Sequence, residues 1–344
     1  MHSRVLVRTV LITCFVGLFS GLAFADTGEF DMARWTGLME SVRSRAAAQN
    51  ISESVIDDTL RSPAFIPSIV KSDKNQSEFK LTLAEYLNKT VNQTRIARGR
   101  HMRAKYPTLL SRVDKAYGLP PHVILAFWGM ESNYGEIKSR HRLVDAFFTL
   151  MYDGRREKFF GDQLLALMNI ADKNSLDINK IRGSWAGAMG HFQFIPTTLS
   201  SYGVDGDGDK RVDIINDLPD AMFSAGYYLN QLGWNKNERI AQRVYLPPCF
   251  DKSLADGKTK KTLNEWAAMG IRDDSLKPLG GDMAVGLVAD AAALSDCDYP
   301  DDAYAEAEPF AVAYLTYPNF YRIKKWNNSN WYAIAIAELA DKLK

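Results

Sequence analysis

The chain has 344 residues, of which 46% are hydrophobic, and a formal net charge of +1. That length and apolar content suffice for one large or two smaller domains with a real core. A balance of 42 Lys and Arg against 41 Asp and Glu argues against bulk nucleic-acid binding, which needs a basic surface to neutralise phosphates.

The chain opens Met1-His2-Ser3-Arg4, with Arg8 following, and an apolar stretch runs from Val10 to Phe24. A basic start, a short apolar run and the small residues Ala23 and Ala25 at its end predict a secretory signal peptide, residues 1–25, cleaved after Ala25. The run is too short for a comfortable membrane span, although an uncleaved signal anchor is the alternative. Cleavage removes Arg4 and Arg8 and takes the net charge to −1. No other stretch is apolar enough to span a membrane.

Residues 26–117 read as a helical region. Phe79, Leu83, Tyr86 and Leu87 make one apolar stripe, and Leu110, Val113 and Tyr117 another. Gly118 ends that second helix, and Pro120-Pro121 opens the next. Within residues 118–243, a helix is expected from Phe159 to Ile170, and Asp217 and Pro219 start one that stops at Gly233. Residues 244–316 change texture. Short β-branched and aromatic runs, Arg243-Val244-Tyr245-Leu246 and Ala311-Val312-Ala313-Tyr314-Leu315, sit between Pro, Gly and Asp clusters and predict a small β-rich subdomain. The segment 317–344 closes with a helix from about Trp331 to Leu343. The expected class is mainly α with a small β-rich part. Without the leader, Cys249 and Cys297 remain. Two cysteines in an exported chain most often pair, and a loop this long would stabilise by roughly 3–5 kcal/mol. Two separate buried thiols are the alternative.

Glu131 is the residue that points most directly to chemistry. Ile124, Phe127 and Trp128 lie seven, four and three positions before it, so its carboxyl shares the apolar face of the helix. Burial raises a carboxyl pKa, and so does the negative end of a helix dipole. A carboxylic acid kept neutral near pH 7 is what a general acid requires. The plain alternative is a glutamate turned to solvent or paired with Arg140 or Arg142. Four further motifs accompany it. In Gly183-Ser184-Trp185-Ala186-Gly187-Ala188-Met189-Gly190-His191-Phe192-Gln193-Phe194, small residues admit a ligand or another backbone closely, and Ser184 and Gln193 can hold a neutral polar ligand or the Glu131 carboxyl. Tight helix packing would explain the glycines equally. Asp205, Asp207, Asp209 and Asp213 occupy positions one, three, five and nine of a calcium loop of the EF-hand kind. Lys210 replaces the sixth-position glycine and Asn216 the closing glutamate. Asp220 can supply the missing carboxylate and the Arg211 carbonyl the seventh-position oxygen; an exposed Asp-Gly turn is the alternative. Arg155-Arg156 suits an anionic substrate group or a solvated helix start. Trp326-Asn327-Asn328-Ser329-Asn330-Trp331-Tyr332 interleaves rings and amides, as carbohydrate contacts do, unless it is a loop with incidental aromatics. Metal pairs of the His-x-x-x-His or Cys-x-x-Cys type, a G-x-S-x-G elbow and a phosphate loop are all missing from the sequence.

In this order the motifs around Glu131, Ser184–Pro196, Asp205–Asp213 and Trp326–Tyr332 closely resemble the lytic murein transglycosylase B family. Ile96-Ala97-Arg98-Gly99 and Lys261-Thr262-Leu263-Asn264-Glu265-Trp266 extend the likeness from about Phe30 to the C-terminus. The resemblance implies a lysozyme-like helical core, an additional helical domain and a small β domain, with residues 317–344 returning to the core. It implies a periplasmic, monomeric enzyme that cleaves the β-1,4 bond between N-acetylmuramic acid and N-acetylglucosamine in peptidoglycan glycan strands without water, leaving 1,6-anhydromuramic ends. Glu131 then matches the single acid/base. Ser184, Gln193 and Phe194 match residues beside it and its sugar subsites, and Arg155 and Arg156 residues that meet the peptide stem. Trp326, Asn327 and Tyr332 match the C-terminal side of the groove, with Trp326 where a tyrosine is usual. Asp205, Asp207, Asp209, Arg211 and Asp220 match a structural calcium site, and no organic cofactor is implied. A muramidase that uses water would need a second carboxyl about 5–9 Å from Glu131, with Glu136, Asp145, Asp153 and Glu157 as candidates. A non-catalytic peptidoglycan binder has no need of an inward-facing acid.

Overall fold

Prolines and polar caps set the helix starts in this chain. The computed structural model describes residues 30–75, 81–137, 139–290 and 311–344. Its N-terminal part is α1 (Met32–Ala48), α2 (Glu53–Leu60), α3 (Pro67–Lys74), α4 (Leu83–Thr90), α5 (Gln93–Lys105) and α6 (Pro107–Tyr117). Asp31 and Asn92 cap α1 and α5 with their side chains, and Thr82 with Glu85 forms a capping box on α4. Pro107 and Pro121 occupy first-turn positions, where a missing N–H costs nothing. Gly118 ends α6 in the left-handed region, φ 64°. The signal-peptide segment and Phe79 lie outside the described residues.

The helix with Glu131 is α7 (Pro121–Ser132). Every residue from Val123 to Gly129 is buried, so α7 is apolar all round and sits at the centre. It packs on α5, α6 and α14 (Asn330–Lys342). After α7 come β1 (His141–Arg142), α8 (Leu143–Asp153), α9 (Glu157–Lys173), β2 (Arg182–Gly183), α10 (Pro196–Tyr202) and α11 (Leu218–Gln231). Asp217 caps α11 as its sequence predicts. One apolar cluster joins Trp35 of α1 to Leu343 beyond α14, so the N-terminal helices and the central ones share a core.

The β-rich part is β3 (Ala241–Leu246), β4 (Asp256–Thr262), α12 (Leu263–Ala268), β5 (Ala284–Ala289) and β6 (Ala311–Thr316). The strands form an antiparallel sheet in the order β3-β6-β5-β4. The two runs singled out in the sequence are neighbours, paired from Ala241 opposite Thr316 to Leu246 opposite Ala311. The sheet has its own core around Trp266, Val244, Leu287 and Leu315. Edge strand β4 carries Lys258, Lys260 and Lys261 and a register irregularity, two devices that discourage strand addition. The chain then returns to the helical core through α13 (Pro318–Trp326) and α14. Cys249 is half-buried just after β3, no disulfide forms among the described residues, and Cys297 of the expected bridge lies outside them. No described helix is long and apolar enough to cross a membrane.

The end of α7 is a sharp reversal. Three consecutive residues, Asn133, Tyr134 and Gly135, take left-handed conformations with φ of 50°, 62° and 82°. This reversal folds the Tyr134 ring back over its own helix. A Cβ on Gly129 would lie 2.7 Å from the Tyr134 hydroxyl, and one on Gly99 of α5 only 2.3 Å from it. The two glycines therefore make room for the ring between α5 and α7. Gly99→Val should destabilise the fold by about 1–3 kcal/mol through overpacking, read as a lower midpoint in thermal unfolding, whereas Gly37→Ala, in open space, should not.

Candidate active site

Glu131 is half-buried in the last turn of α7. Its Oε1 accepts hydrogen bonds from the Trp326 indole Nε1 at 2.9 Å and from the Tyr332 hydroxyl at 2.5 Å. Trp326 ends α13 and Tyr332 lies in the first turn of α14. Between them the Ser329 hydroxyl accepts from the Tyr332 amide and the Ser329 amide donates to the Asn327 carbonyl. This turn brings both donors to one oxygen. Asn327 is half-buried at the end of α13. The segment read as sugar-contacting aromatics thus holds the acid itself. An indole nitrogen can only donate, so Trp326 needs an acceptor such as the carboxyl.

Aromatic rings surround this contact. Trp326 lies 5.0 Å from Phe127, 5.0 Å from Tyr228 and 5.3 Å from Phe194, centroid to centroid. Tyr228 stacks on Tyr202 at 4.4 Å. Phe194 comes from the glycine-rich loop and meets the Trp326 ring edge-on. Ser184 and Gln193, expected on the carboxyl or a ligand, are turned onto their own loop. The Ser184 hydroxyl accepts from the Ala188 amide at 3.0 Å, and the Gln193 amide donates to the Gly190 carbonyl at 2.9 Å. The reason is local: Met189 and Phe194 pair through both backbone bonds, and Gln193 sits in the tight reversal between them at φ 51°. Both residues still line a cavity of about 540 Å³ together with Trp185, Glu136, Ile137, Arg140 and His141.

The four carboxylates considered as a second catalytic group have cationic partners. Glu136 pairs with Arg98, Asp145 with Arg142, Asp153 with Arg155 and Glu157 with Arg34. Arg142 is therefore committed to Asp145. Arg155 and Arg156 both bind the buried Asp73 of α3, one on each oxygen, and Arg156 also lies 4.7 Å over the Phe160 ring. Their side chains remain 46% and 45% exposed, so the pair anchors α3 while staying open to solvent.

In the acidic loop, one carboxylate oxygen each from Asp205, Asp207 and Asp209 lies within 4.8 Å of the others. The backbone N–H of Gly208, followed by that of Lys210, holds the Asp205 carboxyl below its ordinary range. Three hard oxygen donors at this spacing fit a calcium-type ion. Asp220, expected as a further ligand, behaves differently. It is 2% exposed, and its two oxygens accept from the Gly206 and Asp213 amides at 2.7 Å each. Burial nevertheless pushes its carboxyl up. It braces the loop from beneath, tying its two ends. The Arg211 amide donates to Asp209.

A family model described as "Transglycosylase SLT domain" (SLT_2) matches residues 34–341. The chain belongs to this family. The match runs from α1 to α14, so the N-terminal helices and the sheet are parts of the transglycosylase domain. Among solved structures, SltB3 from Pseudomonas aeruginosa in complex with NAG-NAM-pentapeptide is 33% identical, with a TM-score of 0.79 over 90% of this chain and 79% of that one. Soluble lytic transglycosylase SltB1 from the same organism is 26% identical, with a TM-score of 0.74 over 89% and 98% of the two chains. Membrane-bound lytic murein transglycosylase B of Escherichia coli (strain K12) is 28% identical over 260 residues, 74% of this chain. That alignment spans 65% of the Escherichia coli protein's length.

Sequence reasoning passed over two residues of this transglycosylase domain. Tyr134 braces the end of α7, and His191 accepts a hydrogen bond from Trp128 at 3.0 Å. The signal for Tyr134 was the pair of distant glycines, Gly99 and Gly129, that only a folded-back ring connects. Lys210 answers a different question. It holds the sixth loop position at φ 71°, the left-handed conformation that the usual glycine takes freely. Lys210→Gly should raise stability by about 1 kcal/mol, measured by thermal unfolding with chelator present so that ion binding does not contribute.

Proposed function

We propose that this chain is a periplasmic lytic transglycosylase that cleaves the β-1,4 bond between N-acetylmuramic acid and N-acetylglucosamine in peptidoglycan, with Glu131 as acid and then base. One observation carries the reading: the Glu131 carboxyl accepts from the neutral donors Trp326 and Tyr332, while Glu136, Asp145, Asp153 and Glu157 are each bound by arginine. A hydrolase of the two-carboxylate kind needs a second carboxyl opposite the first. Family membership and the solved complexes of SltB3 with NAG-NAM-pentapeptide and NAG-anhNAM-pentapeptide support the substrate class.

With Oε1 accepting from Trp326 and Tyr332, the acid proton belongs on Oε2. Glu131 protonates the glycosidic oxygen, and the muramic N-acetyl oxygen stabilises the cationic C1. The carboxylate then takes the proton from the muramic C6 hydroxyl as it attacks C1, closing the anhydro ring. The two donors strengthen as the carboxyl gives up its proton and Oε1 gains charge, which favours the first half, protonation of the glycosidic oxygen. The aromatic wall of Phe127, Trp326, Phe194 and Tyr228 excludes the water that would otherwise compete. Ser184 and Gln193 line the cavity for the sugars. The exposed edges of Arg155 and Arg156 receive carboxylates of the peptide stem, and Asn327 borders the groove. Asp205, Asp207, Asp209 and the Arg211 carbonyl hold a structural calcium ion, with Asp220 supporting the loop. Residues 1–25 serve for export, and the enzyme acts as a monomer.

Glu131→Gln keeps an acceptor for both donors and removes the acid. It should abolish release of soluble muropeptides from sacculi with an unchanged thermal midpoint; retained release would overturn the mechanism. Mass spectrometry of wild-type products should show anhydro ends, and products heavier by one water would favour a muramidase. Calcium should raise the melting temperature and Asp209→Ala should weaken that effect. A melting curve indifferent to chelator would refute the ion site.

A further inference from the structure

We infer that His191 is a positioning residue for Glu131, acting through Trp128 and Ser132; this rests on the proposed transglycosylase reading. Glu131 sits where α7 runs out of intrahelical partners, a turn that frays unless something outside the helix holds it. His191 reaches that turn from the glycine-rich loop in two places. Its Nδ1 accepts from the Trp128 indole at 3.0 Å, and its backbone carbonyl accepts from the Ser132 hydroxyl at 2.7 Å. Trp128 lies one turn before Glu131, and Ser132 follows it directly. The same Ser132 oxygen accepts from the Gly135 amide at 2.9 Å, so the reversal after the helix is locked by the same contact.

The ring is fitted to its place. It meets Trp128 edge to face at 5.6 Å, and a Cβ on Gly135 would lie 2.6 Å from its Cε1. Accepting at Nδ1 requires a neutral imidazole protonated on Nε2. Burial pushes His191 below its ordinary range, against the smaller opposing pull of Asp213 and Asp217, and so favours that form. On its other side the His191 amide donates to the Ile214 carbonyl at 3.2 Å. A Cβ on Gly190 would lie 2.3 Å from that same carbonyl oxygen, so the backbone is seated against the segment that closes the acidic loop. His191 therefore holds the last turn of α7 from a fixed base. The carboxyl end is fixed separately by Trp326 and Tyr332.

Two substitutions separate positioning from bulk. His191→Leu fills the space without an acceptor, and His191→Asn restores one near Nδ1. In full-length protein acting on sacculi, His191→Leu should lower the saturating rate about 10- to 100-fold with KM within about twofold, and His191→Asn should recover most of the rate. The Trp128 indole proton resonance, assigned by its loss in Trp128→Phe, should move in the Leu variant and stay near its wild-type position in the Asn variant. Wild-type turnover in His191→Leu, or equal losses in both variants, would overturn the role of His191 alone. Wild-type protein that releases no anhydro product would overturn the enzyme reading and this role with it.

Discussion

The structure depends on the closure of the chain's last two helices over Glu131. The donors on Oε1 come from residues 195 and 201 positions away in sequence, so the acid has its partners only when the fold is complete. The short turn between α13 and α14 sets Trp326 and Tyr332 at once, and Ser329 caps the second helix within it. α14 must then lie against α7 along its length. It does so with a run of small and branched residues, Ala333, Ile334, Ala335, Ile336 and Ala337, almost wholly buried. Small side chains let the two backbones approach, which brings a tyrosine hydroxyl within reach of a carboxyl on the neighbouring helix.

That closure gives the N-terminal helices a task. Arg100 and Arg103 of α5 donate to the carbonyls of Lys342 and Leu343, satisfying the open end of α14. The Trp331 indole donates to the Leu81 carbonyl at the start of α4. α14 is therefore held at both ends by the region before α7, and Gly99 with Tyr134 joins α5 to α7 between those points. The shared apolar cluster from Trp35 to Leu343 is the packing counterpart of these bonds. A boundary at residue 117, natural from the Gly118-Pro120-Pro121 punctuation, marks a turn in the chain and leaves the core continuous.

Local signals were legible because they act locally. Pro121, Asp217 and Gly118 report helix ends through their own backbones, and the β-branched runs beside Leu246 and Ala311 pair with each other. The inward face of Glu131 followed from helical spacing. Its partners did not, because nothing in a sequence says which distant ring reaches a given carboxyl. Ser184 and Gln193 were the better guess by chemistry, yet a tight reversal commits them to their own loop. Asp73 was invisible for the same reason: an isolated acid on α3 acquires meaning only when Arg155 and Arg156 arrive on its two oxygens. Asp220 shows the converse. Its position after the loop suggested a ligand, whereas burial favours a carboxyl that serves two backbone N–H groups.

The arginine pairings bear on the electrostatics of one-acid catalysis. A lone carboxyl must both give and reclaim a proton, so uncompensated anions beside it would bias it toward the protonated form and oppose the second step. The candidate second carboxylates are already compensated, Glu136 by Arg98, Asp145 by Arg142 and Asp153 by Arg155. Two neutral donors, an indole N–H and a phenol, reach Oε1, and the Phe127 ring packs on the first of them. Neutral donors can serve both protonation states of the acid without adding a net charge that would fix it in one. A second carboxylate would stabilise the cationic sugar but would also invite water to complete the reaction. In the reaction we propose, the N-acetyl oxygen and the C6 hydroxyl of the substrate do that work.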